Sequence, residues 1–370
     1  MTWTLKSALR DDAALSSEWD ALNTERGGHI LLDSGFVLPL LKHFARDGVL
    51  LGSHEKNGAI CQMILLEPRG LGRWVSFQPS QAPLGLLLSR GDAPESLEGY
   101  RSLIRDLPGC AIQFSALQQD PDYSCLRGIL PADDFELLDY IETARLRLEG
   151  TYEEYWRSRS GNLRHNLERQ IRRLAEQQRS LTLSVLSSPD RMATGVSDHA
   201  RLESQGWKAG TSTAIMATNA QGAFYTEMLT HFAHRGEAVI YQLQLDGTTV
   251  ASDLCLRRNR MLVVLKTAYD ENLRGFSPAL LMHRFILQAL FSERQVDVIE
   301  FYGRVMDWHT KWTRDCRTLF HLNLYRNRFV RRSVMVIKSS RKLASEFWRP
   351  RAAHELGHGS RAKEDLPPAG

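Results

Sequence analysis

The sequence has no apolar run long enough to span a bilayer, so hydropathy argues against a membrane-crossing helix. Its first residues, MTWTLKSALRDDAALSSEWD, lack the long apolar stretch of a secretory signal, and the expected compartment is the cytoplasm. Cysteine is scarce. Cys61, Cys110, Cys125, Cys255 and Cys316 are scattered, odd in number and never spaced as CxxC, so neither a disulfide framework nor a zinc site is expected from them. The glycine patterns of a P-loop and of a dinucleotide-binding turn are missing, as is the GxSxG of a hydrolase nucleophile. The twelve histidines are read as forming no metal site, with His354 and His358 falling in a Gly/Pro/charge-rich tail expected to be disordered. Charge of one sign is also modest. A net charge of +4 and a pI near 8.8 do not by themselves point to nucleic acid, so the placement of the charge matters more.

What is present is globular composition, 43% hydrophobic and 24% charged, over 370 residues, a length that suggests two domains. Strands and helices alternate, giving an expected α/β (α+β) fold. Val49–Ser53 and Ala59–Leu66 read as a hairpin about the turn Lys56-Asn57-Gly58, followed by a helix over Ser96–Leu107 and a strand over Cys110–Ser115. Farther on, Ala238–Leu245 and Thr249–Arg257 form a second hairpin about Asp246-Gly247, followed by a strand over Met261–Ala268, a helix over Ser277–Phe291 and a strand over Val296–Phe301. The order hairpin, strand, helix, strand thus occurs twice, at 49–115 and 238–301, and suggests two related lobes in tandem. The alternating run Leu138–Glu149 ends at Gly150, and the capping-box pair Thr151 and Glu154 follows. We expect a first lobe over 1–145, a second over 146–328, and a basic tail helix with a disordered end over 329–370.

The segment MLVVLKTAYDENLRGFSPALLMHRFILQAL carries the clearest chemical signal. A strand runs into a polar loop. There Gly275 permits a tight or left-handed backbone, Ser277 can cap the next helix, and Pro278 suits its first turn. The exposed amides and positive dipole end of such a helix bind phosphate. On the loop alone, an ordinary capped turn is the simpler reading.

Four segments taken in order resemble a known family: YWRSRSGNLRHNLERQIRRL, LESQGWKAGTS, VASDLCLRRNRMLVVLKTAYDENLRGFSPALLMHRFI and EFYGRVMDWHTKW. Together they are similar to the CelD/BcsL group of GNAT acetyltransferases, relatives of the Fem peptidoglycan aminoacyltransferases. The likeness covers about residues 138–325. It implies tandem GNAT-like lobes, each a mixed sheet flanked by helices. It also implies acetyl-CoA or a longer acyl-CoA as donor, no metal, and a sugar or cell-envelope precursor as acceptor. In that family the loop before the third helix reads Q/R-x-x-G-x-G/A. Here it corresponds to Asn272-Leu273-Arg274-Gly275-Phe276-Ser277, in which the central glycine matches and Asn272 and Ser277 depart.

The resemblance places the carrier against Arg274, Gly275, Phe276 and Ser277. It also implies a backbone amide near Leu265, Lys266 and Thr267 that polarises the carbonyl. Glu203, just before Trp207 and Lys208, is the expected base beside the acceptor, with a solvent-facing helix glutamate as the alternative. Asp253 is a second candidate. Its carboxylate lies in an apolar strand, so it needs either a partner, with Lys266 expected, or a cleft. Tyr269 and Tyr302 are candidates to protonate the leaving thiolate, and Lys311 to contact an anionic substrate. The Arg-rich helix from Asn162 to Arg179 is read first as a solvated face. Its sharper readings are a platform for aminoacyl-tRNA, for an acyl carrier protein or for an acidic precursor. The basic tail suggests peripheral contact with the inner membrane surface. A non-catalytic scaffold in envelope-polymer synthesis is the remaining alternative.

Overall fold

The computed structural model describes residues 2–10, 15–124, 126, 129, 132–204, 215 and 219–347. Thirteen strands form one mixed sheet. The first half contributes β1 (Trp3–Ser7), β2 (Leu50–Lys56), β3 (Ala59–Pro68), β4 (Arg73–Ser76), β5 (Leu87–Ser89) and β6 (Gln113–Gln119). A long strand, β7 (Phe135–Arg147), leads into the second half, with β8 (Leu181–Leu186), β9 (Ala238–Leu245), β10 (Thr248–Arg258), β11 (Met261–Tyr269), β12 (Val298–Glu300) and β13 (Cys316–Tyr325). The main helices are α1 (Asp20–Glu25), α2 (Ser34–Phe44), α3 (Ala93–Asp106), α4 (Tyr152–Ser158), α5 (Gly161–Glu176), α6 (Pro189–Ser204), α7 (Ala220–His234), α8 (Pro278–Glu293), α9 (Asp307–Thr310) and α10 (Arg328–Phe347).

Local chemistry explains the repeated hairpins. Asn57-Gly58 and Asp246-Gly247 both have positive φ at each position, the backbone that suits the twist of the flanking strands. In each half the third strand is antiparallel to the hairpin, and a helix then returns the chain to a parallel neighbour. Arg73 pairs with Gln113 in the first half, and Met261 with Val298 in the second. The expected duplication is therefore present in the strand pairing.

The strand order is β1-β2-β3-β4-β6-β13-β7-β12-β11-β10-β9-β8, with β5 on β3. It reads the same from either end if β1 to β4, β6 and β13 are matched with β8 to β11, β12 and β7. The last strand of each half has crossed over: β13 lies on β6, and β7 lies on β12. The two exchanged strands pair with each other from Cys316↔Ala144 to Leu324↔Phe135, at the centre of the sheet.

Three apolar clusters fill the layers. One joins the halves, with Phe36 and Phe44 of the first against Phe224 of α7, and includes Trp19, Met63, Met192 and Leu254. A second packs α5 and α8 on the other face of the second half, through Leu163, Leu167, Leu174, Met282 and Ile286. The third packs α3 on the first half and takes Leu322 and Leu324 from β13. Strand β10 is buried on both sides, sending Leu254 and Leu256 to the joint cluster and Cys255 to the second. At α4, Thr151 and Glu154 make both bonds of the capping box. Among the described residues no helix is long and apolar enough to cross a membrane.

Candidate active site

The site begins where two parallel strands part. Strand β12 ends at Glu300, opposite Val263, while β11 continues to Tyr269. From Val264 onward β11 has a strand neighbour, β10, on one edge only among the described residues. The Asp270 amide donates to the Val250 carbonyl, and Ala251, Ser252 and Asp253 face Tyr269, Ala268 and Thr267. Alternation along the strand therefore turns the Thr267 backbone away from β10, toward the gap. Leu265 is an extra residue between the pairs Leu254–Lys266 and Cys255–Val264, a bulge that bends β11 at this point.

The gap is a cavity of about 560 Å³, lined by Leu265, Lys266, Thr267 and Tyr269 of β11, by the start of α8, and by the segment from Phe301 to His309. Its charged lining is Lys266, Arg274 and Arg304, with no carboxylate among the described lining residues. Helix α8 opens onto it through Ser277, Pro278, Ala279 and Leu280. First-turn amides have no helical carbonyl to bond, so cationic side chains and a helix N-terminus converge here on space suited to an anion.

The loop is built otherwise than its glycine suggests. Residues Glu271–Phe276 form a short 3-10 turn capped by Asp270, which accepts from the Asn272 amide. The left-handed residue is Ser277, at φ 56°, and its side chain makes no capping bond. A Cβ on Gly275 would meet open space. Neither Gly275 nor Phe276 lines the cavity. Phe276 packs under the Arg173 guanidinium of α5, 4.8 Å from the ring centroid.

Asp253 is not paired with Lys266, which lies opposite Leu254. Its partner is His283, on the second turn of α8, with Nε2 2.9 Å from Oδ2. Both side chains are buried, yet His283 Nδ1 and Asp253 Oδ1 have no hydrogen-bond partner. His283 stands in the wall of the cavity beneath the stacked ring of Trp308, at 5.2 Å between centroids. A carboxylate on one imidazole nitrogen fixes the tautomer and raises the basicity of the other. Sequence reading missed His283, because a lone histidine thirty residues from its partner leaves no spacing signal. Nearby His309 also lines the cavity. Burial, with His283 adding to it, pushes His309 down to about 4, so it is neutral near pH 7 and accepts the Met306 amide at Nδ1.

The other expected residues fall elsewhere. Tyr269 is in the lining, and Lys311 is exposed at the end of α9, outside it. Tyr302 lies in the seam between the halves, where its hydroxyl accepts from His29 at 2.8 Å and its ring sits under Arg317. Burial pushes its hydroxyl well above the ordinary tyrosine value. Glu203 is buried at the end of α6, accepting the Ile215 amide at 2.7 Å, and does not reach the cavity lining. Trp207 and Lys208 lie outside the described residues. So does the HELGH of the tail, whose His354, Glu355 and His358 do have the H-E-x-x-H spacing that the sequence reading passed over. Among the described residues no group of three ligands is placed to hold a metal.

Residues 161–310 match the family described as Acetyltransferase (GNAT) domain. This segment is a GNAT-type acetyltransferase domain. The chain that carries it is an acyltransferase. The segment contains the parted strands, the bulge and the N-terminus of α8. Among solved structures the chain is similar to L-PGS from Bacillus licheniformis, at 15% identity over 84% of this chain and 92% of that one, with a TM-score of 0.52. A C-terminal DUF2156 domain from Agrobacterium fabrum is 12% identical over 88% and 97%, with a TM-score of 0.53. A conserved protein of unknown function from Bacteroides thetaiotaomicron is 11% identical over 87% and 98%, with a TM-score of 0.51. At these identities the likeness is one of fold, and it extends over both halves. No curated protein matches the chain.

Proposed function

We propose that the chain is an acyl-CoA-dependent N- or O-acyltransferase of the CelD/BcsL kind, acting on a polysaccharide or cell-envelope precursor. The observation that carries this reading is the cavity between β11 and β12. It offers three cationic side chains, a helix N-terminus and a strand edge beyond the end of β12, with apolar walls from Leu265, Leu280, Phe301 and Trp308. That combination fits a ligand with a phosphate-bearing end and a slender neutral arm.

A thioester carrier supplies an acyl group activated toward an amine or hydroxyl. The chain holds the carrier phosphates with Arg274, Arg304 and the first turn of α8. The Thr267 amide, free of β10, donates to the carbonyl oxygen as negative charge builds there. His283 Nδ1 takes the proton of the attacking amine or hydroxyl while Asp253 steadies the imidazolium. The new carbon–nitrogen or carbon–oxygen bond forms as the carbon–sulfur bond breaks, and the thiolate recovers a proton on leaving. Tyr269, in the lining, supplies that proton.

Calorimetry with acetyl-CoA and with longer acyl-CoAs tests the donor. Saturable heat with at least one, weakened in Arg274→Glu/Arg304→Glu, is the expected result. Absence of heat with all of them, from protein that melts cooperatively, sinks the reading.

One observation favours a macromolecular donor, aminoacyl-tRNA or an acyl carrier protein. The Arg173–Phe276 contact sets α5, with exposed Arg169, Arg172 and Arg173, beside the carrier loop. Donor binding that falls steeply with salt, and collapses when those three arginines become glutamate, selects this second donor.

A further inference from the structure

Helix α10 is unlike the other helices in what it exposes. Phe329 is 62% exposed, Val336 64%, Ile337 53% and Met335 39%, a third of the large apolar side chains exposed among the described residues. From Arg326 to Ser345 the chain carries seven basic residues and no acidic one. At about 3.6 residues per turn, Phe329, Val336 and Ile337 share one side of the helix. Arg332 and Arg328 flank that side next to Val336, Met335 lies beside Arg328, and Arg331 lies farther round. Arg328 and Arg332 are exposed, while Arg331 reaches the body of the protein through the Ala132 carbonyl at 3.3 Å. The helix thus leaves the sheet after Tyr325, touches the body near its start, and presents an apolar side flanked by arginines to solvent.

We propose that α10 is a membrane-surface anchor that lies in the headgroup layer of an anionic bilayer. The argument rests on the apolar side and the flanking charges together. A helix start whose charges are all positive is complementary to a surface that is uniformly anionic, which phospholipid headgroups of phosphatidylglycerol type provide. The apolar side then enters the acyl boundary, removing Phe329 and Ile337 from water. Nucleic acid would satisfy the arginines but offers no apolar phase for those side chains. This inference stands apart from the acyl-transfer reading, because α10 contributes nothing to the cavity between β11 and β12.

The test is sedimentation of the full chain with vesicles of phosphatidylcholine alone and of equal parts phosphatidylcholine and phosphatidylglycerol. The expected result is binding to the anionic vesicles, at least roughly tenfold tighter than to the neutral ones. Both Phe329→Asp/Ile337→Asp and Arg328→Glu/Arg332→Glu should lose it. The melting temperature and the acyl-CoA heat of these variants report folding and donor binding separately and should not change. Equal affinity for both vesicle types overturns the proposal. So does binding that survives the two aspartates, or retention on RNA without retention on vesicles.

Discussion

Asp253 of β10 and His283 of α8 meet at 2.9 Å inside the second half, and they leave one imidazole nitrogen unpartnered in the wall of the cavity. Asp253→Asn should lower acyl transfer about a hundredfold while leaving acyl-CoA affinity within about twofold. His283→Asn should do the same. A pair that only ties helix to sheet would instead lower the melting temperature, by about 1–3 kcal/mol of stability, and leave the rate alone. Turnover and melting measured on the same preparations separate the two outcomes.

The cationic lining makes a different prediction. Arg274 and Arg304 are exposed at the cavity rim, so replacing them costs no buried partner. Each charge-assisted contact with a phosphate contributes about 1.5–3 kcal/mol, so Arg274→Gln should weaken donor binding by at least about tenfold. The same substitution should reduce the salt dependence of binding. Unchanged affinity in the double Gln variant would mean that the phosphates sit elsewhere.

At the seam between the halves Arg317 lies between two carboxylates. Arg317 bonds Asp120 through two nitrogens and Glu300 through a third, at 2.8 Å. Burial pushes the Glu300 carboxyl up to about 7 despite Arg317, and Asp120 pushes in the same direction. Folded protein therefore holds a proton that the unfolded chain releases near its ordinary value of 4.5. The stability associated with this group is full below about 4.5 and is lost as pH rises toward about 7. Glu300→Gln should remove that slope and make the protein less sensitive to alkali, by roughly 3 kcal/mol at pH 8. Chemical denaturation at several pH values shows whether the slope disappears.

The joint core predicts cooperative unfolding. Phe224 is fully buried and touches Phe36 and Phe44 from the other half. Phe224→Ala should cost about 3–5 kcal/mol, with fluorescence and circular dichroism still reporting one transition. Two separated transitions would show that the halves are energetically independent.

How much of this was legible depended on the range of the interaction. Asn57-Gly58, Asp246-Gly247 and the Thr151–Glu154 box announce themselves within four residues, and each behaves as its chemistry requires. The repeated order of strands was also visible. The exchange of β7 and β13 was not, since nothing local in FELLDYIETARLR says which neighbour it will take. The loop misled for a related reason. Gly275 is the residue that permits a tight or left-handed backbone, yet the left-handed position is Ser277, where the preceding 3-10 turn hands over to α8. Asp253 in an apolar strand calls for either a partner or a cleft, and strand adjacency suggests Lys266, whereas the observed partner is His283. The bulge at Leu265 and the arrival of α8 decide the pairing, and both belong to tertiary structure.

The crossing of β7 and β13 has a consequence for dissection of the chain. Cutting between β7 and α4 would give two fragments, each keeping a strand whose place is in the other's sheet. Either fragment alone would display an open edge to solvent and a bare groove beside it. Expressed together, they should find each other as interlocked partners do, and donor binding should return only in the reunited pair.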